Sequence, residues 1–373
     1  MSDFEFESAK STHSSGDAHG GPPQGDASYL RKRGEQLADR HADAVRQVRE
    51  YERQLAHVVR MLAFTPGRDS LVNLLRLLDE KRPSIGSPRP LLPFVASVLA
   101  EHHQVSDLVA VVFEPRGREY LNELRACLFH ELVLRGVRTD AYPALRSAVH
   151  VPPWHPLFWL PAHRIDVESG ADFPRRSVNG SAYGVPSQLP AEGRVDLPTP
   201  RTSERSALHD TATADVRESI VAAVRVGEWA GHGAWVFTLD EALPPECVPA
   251  LLPTLPMGCL DGLGPTDRFE VAVRPLDEIW RLLFDTASMG GMYDSGVHGA
   301  YGRLWAWRSI AGLSGAPAGA SAEEVEHRAR QSTWFHFEAD TDWFHGDIDS
   351  DYGVAALSPD RRRIAVLAAT DTD

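Results

Sequence analysis

Residues 333–370 read TWFHFEADTDWFHGDIDSDYGVAALSPDRRRIAVLAAT, and their reading decides the fold. Four short runs, TWFHFEA, WFHGDI, YGVAAL and RRIAVLAAT, are rich in aromatic and β-branched residues. Acidic residues or SPDRR separate them, which is turn chemistry. The stretch therefore predicts antiparallel strands. The segments before it are mostly helical, and runs of helices followed by strands imply an α+β fold rather than a doubly wound sheet.

The aspartates in this stretch admit two readings. Asp347, Asp349 and Asp351 are spaced D-x-D-x-D. Alternate residues of a strand share a face, and carboxylate oxygens suit Mg²⁺ or Ca²⁺. A helix–loop–helix calcium loop is excluded, because it needs glycine at position six and glutamate at position twelve, where this chain has Tyr352 and Ser358. In the other reading the aspartates cap solvated turns and blunt sheet edges. No other cofactor is expected.

Upstream of this stretch the pattern stays mixed back to about residue 206. ADVRESIVAAVRVG predicts a helix, AWVFTLD a strand, and Pro245 a short helix after it. DRFEVAVRPL places Phe269, Val271 and Val273 on one side of a half-buried strand. Pro275 then starts a helix that buries Ile279, Trp280, Leu283 and Phe284. GAYGRLWAWRSIAGL predicts another helix, and Ser321 with Glu324 a capping box. Residues 206–373 are thus expected to form an α+β domain with an antiparallel C-terminal sheet.

Residues 151–205 are rich in proline and glycine. The prolines of HVPPWHPLFWLPAH, 150–163, rule out a regular helix or central strand, while Trp154, Phe158 and Trp159 predict a packed connector. Asn179–Gly180 signals a turn or hairpin.

Residues 29–150 read as a helical region, bundled or HEAT-like, without a sharp repeat. DSLVNLLRLLDEK puts Leu71, Leu74, Leu75 and Leu78 on one face. GREYLNELRACLFHELVLRG stacks Leu121, Leu124, Leu128 and Leu132 and closes at Gly136. From Tyr29 to Leu62 a heptad seam runs through Leu30, Leu37, Ala44, Tyr51 and Val58, with Val48, Leu55 and Leu62 as its second row. It predicts either a coiled-coil arm for self-association or a long helix packed on its own domain. Residues 1–28 are Ser-, Gly- and Asp-rich and read as a disordered tail.

The totals exclude several functions. The net charge of −14 argues against nucleic acid and against an anionic membrane surface. Cys127, Cys247 and Cys259 are odd in number and widely spaced, so neither a disulfide framework nor a zinc or redox CxxC is indicated. That, with no secretory signal and no apolar run of membrane length, predicts a soluble cytoplasmic protein. Lysine occurs only at Lys10, Lys32 and Lys81. A GK[ST] phosphate loop, a kinase strand lysine and a Schiff-base lysine are therefore missing, and arginine, always protonated, replaces none of them. GxSxG, HExxH and GxGxxG are absent as well.

The most site-like stretch is SMGGMYDSGVHGAYGRLWAWRS, 288–309. Its glycines allow close backbone approach. Asp294, His298, Arg303 and Arg308 supply polar tips, and Trp305 a face for stacking. Arg303 and Arg308 would hold an anionic group, His298 or Asp294 would move protons, and Arg175 and Arg176 would join the same cleft. The alternative is a tight helix–helix connection with buried tryptophans.

ADFPRRSVNGSAYG, GPTDRFEVAVRPLDEIWRLLF, GAYGRLWAWRS and VLAATDTD resemble an uncharacterised actinobacterial protein family, a domain of unknown function, over roughly residues 150–373. The resemblance implies no activity and no catalytic residue. With no catalytic signature in view, the sequence points to a non-enzymatic interaction or regulatory protein that associates with itself or a protein partner through residues 29–62. The alternatives are a small-ligand binder or enzyme with its cleft at 288–309, and divalent-metal binding at 347–351.

Overall fold

The computed structural model describes residues 27–43, 48–81, 91–113, 121–146, 151–180, 182–183, 192–197, 208–227, 229–264, 266–291, 296–344 and 351–371. The tail expected at 1–28 lies almost wholly outside them.

The helical region comprises α1 (Ala27–Asp43), α2 (Val48–Phe64), α3 (Arg68–Lys81), α4 (Leu91–His102), α5 (Val105–Leu108), α6 (Asn122–Leu134) and α7 (Pro143–Arg146). Pro66 and Gly67 stop α2, as expected, and Leu71, Leu74, Leu75 and Leu78 bury the inner face of α3. After α6, Gly136 turns left-handed (φ 76°) and Val137 N–H bonds Leu132 O at 3.0 Å, the hydrogen-bond pattern of a glycine stop.

The heptad seam is not one rod. α1 and α2 pack side by side, which a straight helix cannot do, and both also pack on α3. Leu37, Leu55, Val58 and Leu62 are buried within the chain. Leu37 belongs to one helix and Leu55, Val58 and Leu62 to the other, and both helices turn these apolar residues inward.

A short hairpin follows, β1 (Arg175–Arg176) with β2 (Ala182–Tyr183), where Gly180 supplies a φ of 92°. The remaining elements are β3 (Val195–Leu197), α8 (Ala214–Ile220), α9 (Ala222–Val226), β4 (Gly231–Thr238), α10 (Val248–Leu251), β5 (Phe269–Arg274), α11 (Leu276–Met289), α12 (His298–Ser314), α13 (Ala322–Gln331), β6 (Thr333–Ala339), β7 (Tyr352–Leu357) and β8 (Arg363–Thr370). The single helix expected over 214–227 is broken at Val221 into α8 and α9. Ser321 and Glu324 form the expected capping box, with Ser321 N–H donating to Glu324 Oε2 at 2.7 Å.

Six strands make one antiparallel sheet in the order β3-β5-β6-β7-β8-β4, so the fold is α+β with an antiparallel C-terminal sheet. Both faces are covered. Trp334, Tyr352, Val354 and Leu367 face the helices, while Phe269, Phe335, Phe337 and Val366 face short helical turns carrying Val248, Leu252 and Leu260. Opposite Phe337, Gly353 makes room for the ring, which a Cβ would strike.

Three expectations need correction here. Trp343 and Phe344, the described part of WFHGDI, lie in a tight turn closed by a bridge between Thr341 and Phe344, because β6 ends before Asp340. Val273 is 60% exposed, although it shares a side with the buried Phe269 and Val271, because β3 pairs β5 only as far as Val271. In the 151–163 connector, Leu157 and Leu160 are the anchors, whereas Trp154 and Phe158 are 73% and 50% exposed.

Helix α12 is the hub. It packs on α4, α6, α8, α9, α11, α13, β7 and β8. Its C-terminal carbonyls are claimed by Arg363 of β8, which donates to Leu313 O at 2.8 Å and Gly312 O at 2.9 Å. One continuous core runs from Leu37 through α12 to Ala369.

Candidate functional site

Buried polar chemistry gathers around α12. The chain enters this helix by a forced route. Gly296 has φ 57°, and a Cβ there would lie 2.5 Å from the backbone of Ser288–Gly290. His298, the first residue of α12, is also left-handed at φ 63°. Histidine visits this region more readily than most residues. Such a conformation still costs about 1–3 kcal/mol and tends to mark functional positions.

The first network rests on Glu131 of α6. This buried carboxylate accepts from Ala300 N–H at 3.2 Å in the first turn of α12 and pairs with Arg135 one turn along its own helix. Gly299 permits the approach: a Cβ there would lie 2.7 Å from either carboxylate oxygen. A negative group at this end of the helix also complements its dipole. Arg135 lies 4.0 Å over the Phe173 ring.

The second network centres on Arg303 and Glu168. Nε and Nη2 donate to the two carboxylate oxygens at 2.7 and 2.9 Å. Nη1 donates to His130 Nδ1 at 2.9 Å and Pro161 O at 3.1 Å, and Nη2 also to His163 O at 2.8 Å. All five N–H donors of Arg303 are thereby engaged inside the protein. Trp307 Nε1 and Ile165 N–H complete the shell of Glu168 at 2.8 and 2.9 Å. Because guanidinium only donates, His130 Nδ1 accepts. Burial, and then the charge of Arg303, hold that imidazole well below its ordinary pKa.

The third network reaches the surface. Glu123 takes hydrogen bonds from His155 Nε2 at 2.9 Å and Tyr301 Oη at 2.9 Å, and from the Cys127 thiol at 3.4 Å. His155 Nδ1 accepts from Leu157 N–H at 3.2 Å, so Nε2 carries the proton. Burial opposes ionisation of Glu123, but its donors hold the pKa below the usual carboxylate range. Burial, reinforced by Glu123, pushes the Cys127 thiol up. Burial likewise raises Tyr301, with Cys127 and Glu123 adding to it. A saturated carboxylate is a weak base, and a protonated thiol a weak nucleophile.

Arg176 differs from these. β1 alternates outward and inward, so Arg175 is exposed and Arg176 is only 8% exposed. Nη1 donates to Pro174 O at 3.1 Å, while Nε and Nη2 have no partner within the protein. Its charge acts on His298, whose pKa is held well down by burial first and Arg176 second. The His298 ring stands edge-on to Phe94 of α4 at 5.4 Å between centroids, and its Nδ1 also lacks a partner.

Arg176 and His298 thus lie close enough for the charge of one to act on the other. The structure separates Arg303 from Arg308: five residues along a helix put them about 140° apart. Arg308 stacks at 4.2 Å on Trp159, and Trp305 is half-buried in the core packing. Asp294, Asp347 and Asp349 lie outside the described residues. Asp351 accepts from Asp371 N–H at 3.0 Å. Among the described residues no group of three or more His, Cys, Asp or Glu is arranged to hold a metal ion. Glu123, His130, Glu131 and Glu168 were missed in the sequence. Their one signal was the polar pair His130–Glu131 within the mostly apolar run ACLFHELVL of α6.

The sequence matches a family of unknown function, DUF6183, over residues 22–373, and the chain belongs to that family. No curated protein and no solved structure matches it.

Proposed function

We propose that this protein binds a small anionic ligand between β1, α4, α6 and the start of α12, and acts as a non-enzymatic regulatory or interaction protein. The observation that carries this reading is Arg176. A buried guanidinium stays ionised, and leaving two of its nitrogens without a hydrogen-bond partner costs several kcal/mol. Glu131 pairs with Arg135 and Glu168 with Arg303; Glu131 and Glu101 act on Arg176 through space, but neither bonds its free edge. The quenched states of Cys127 and Glu123 support binding over catalysis.

The test is thermal melting of chelated protein against acidic metabolites, nucleotides, inorganic anions and divalent cations. A native ligand at ~100 times its Kd stabilises by about 2.7 kcal/mol. The expected result is a shift with an anion that Arg176→Gln abolishes. No shift with any anion would overturn the reading.

A protein partner is the second reading, favoured by the exposed Trp154 and Phe158 beside the Glu123–His155 pair. Wild type should self-associate in light scattering, and Trp154→Ser with Phe158→Ser should render it monomeric while leaving the melting temperature unchanged. Divalent-metal binding at Asp347, Asp349 and Asp351 is a third. It is tested by the cations in the same panel with Asp349→Asn. The cytoplasm of an actinobacterium remains the proposed setting: the three cysteines are free, and arginine greatly outnumbers lysine. Among the described residues no helix is long and apolar enough to cross a membrane.

A further inference from the structure

We infer that the ligand of the Arg176–His298 site is a small monoanionic hydroxy acid, its carboxylate gripped side-on by Arg176 and its hydroxyl read by His298. The inference rests on the binding reading above and names the ligand class.

Geometry selects a two-oxygen anion. The free donors of Arg176 are Nε and Nη2, which lie on one edge of the guanidinium. That edge presents two parallel N–H groups, the fork that fits a carboxylate bidentately. The third nitrogen is tied to Pro174 O and fixes the plane.

Charge selects a monoanion. Near the site, Glu131 pairs with Arg135, and Glu131 and Glu101 act on Arg176 only through space, without a bond to its free edge. Glu101 lies on the exposed side of α4 and forms no bond to the free edge of Arg176. A single carboxylate can take the free edge, whereas a phosphate dianion would bury a second negative charge beside these two carboxylates.

The neighbouring polar groups select a hydroxyl. His298 Nδ1 has no partner, and nor do the buried hydroxyls of Ser97, one turn along α4 from the Phe94 that meets His298, and of Ser288 on α11, which packs against Gly302 in the first turns of α12. Buried polar atoms without partners are rare. An alcohol both donates and accepts, so it satisfies the neutral imidazole in either tautomer. A purely apolar acid would leave these groups unmatched.

The experiment is isothermal titration of the full-length, dialysed protein with glycolate, lactate, 3-hydroxybutyrate, acetate, inorganic phosphate and sulfate. At least one hydroxy acid should bind at least tenfold tighter than acetate. Arg176→Lys, which keeps the charge but loses the fork, should weaken it at least tenfold, and Arg176→Met should abolish it. His298→Gly suits the left-handed backbone and should erase the preference over acetate. Arg176-dependent binding of phosphate, sulfate or acetate without a hydroxy-acid preference would overturn the ligand class and leave the site. No binding of any anion, or binding untouched by Arg176→Met, would overturn both.

Discussion

Arg303 and Glu168, 135 residues apart in sequence, form a fully buried ion pair in which every guanidinium N–H and both carboxylate oxygens are engaged. The pair ties the proline-rich connector to α12 and α6. Arg176, also buried, lacks such a mate. The contrast between these two arginines divides structural from ligand-facing charge in this protein.

Removing one half of the complete pair should be costly. Arg303→Met or Glu168→Gln should each lower stability by about 3–5 kcal/mol, because the remaining charge or its donors stay buried without a partner. The combined Arg303→Met, Glu168→Met variant should lose less than the sum of its two single changes. Urea unfolding of the three variants measures this.

Acid should weaken the fold through its buried neutral histidines. Burial, with Arg194 and Arg274 nearby, brings His336 from 6.5 to about 3. The folded state thus refuses a proton that the unfolded chain accepts below pH 6.5. Stability is full above pH 6.5 and falls as pH drops from 6.5 toward 3. One such group contributes about 1.4 kcal/mol per pH unit. Unfolding free energies at pH 7, 6 and 5 should fall, and His336→Gln should flatten the slope by roughly that amount per unit.

The α1–α2 seam should report folding before association. Leu37 and Leu55 are buried within the chain. Leu37→Asp or Leu55→Asp should therefore cost more than about 3 kcal/mol by burying an unpaired charge. Circular dichroism melts should show this loss whatever oligomeric state light scattering gives. A variant that dissociates a dimer yet melts like wild type would contradict it.

Gly353→Ala should strain the sheet, since the new methyl meets the buried ring of Phe337 on the neighbouring strand. Overpacking of this kind costs about 1–3 kcal/mol. Gly353→Ala paired with Phe337→Leu should recover part of the loss in urea unfolding.

Much of the fold was legible because local chemistry and tertiary packing agree. The Ser321–Glu324 box, the Gly136 stop, the leucine face of α3 and the strands at 333–339, 352–357 and 363–370 each carry their signal within a few residues. The α1–α2 pair was less legible, because a heptad count does not tell one long helix from two packed side by side. The site was legible only in part. Arg176 and His298 stood out as residue types near glycines, but their proximity depends on the β1–β2 hairpin docking on the helical region, where Arg60 of α2 donates to Val178 O. Glu131 and Glu168 looked like ordinary acids. Their burial is set by Ala300, Arg135, Arg303 and Trp307, none of which lies within three residues of either acid.

The most direct test of the central claim is the stability of ligand-free Arg176→Met, measured by urea unfolding against dialysed wild type. If Arg176 is a buried charge kept for a ligand, replacing it with an apolar side chain of similar length should leave the stability unchanged or raise it by about 1–4 kcal/mol. A loss of about 3–5 kcal/mol, matching that of Arg303→Met, would mean that Arg176 is already paired within the fold and would contradict the account.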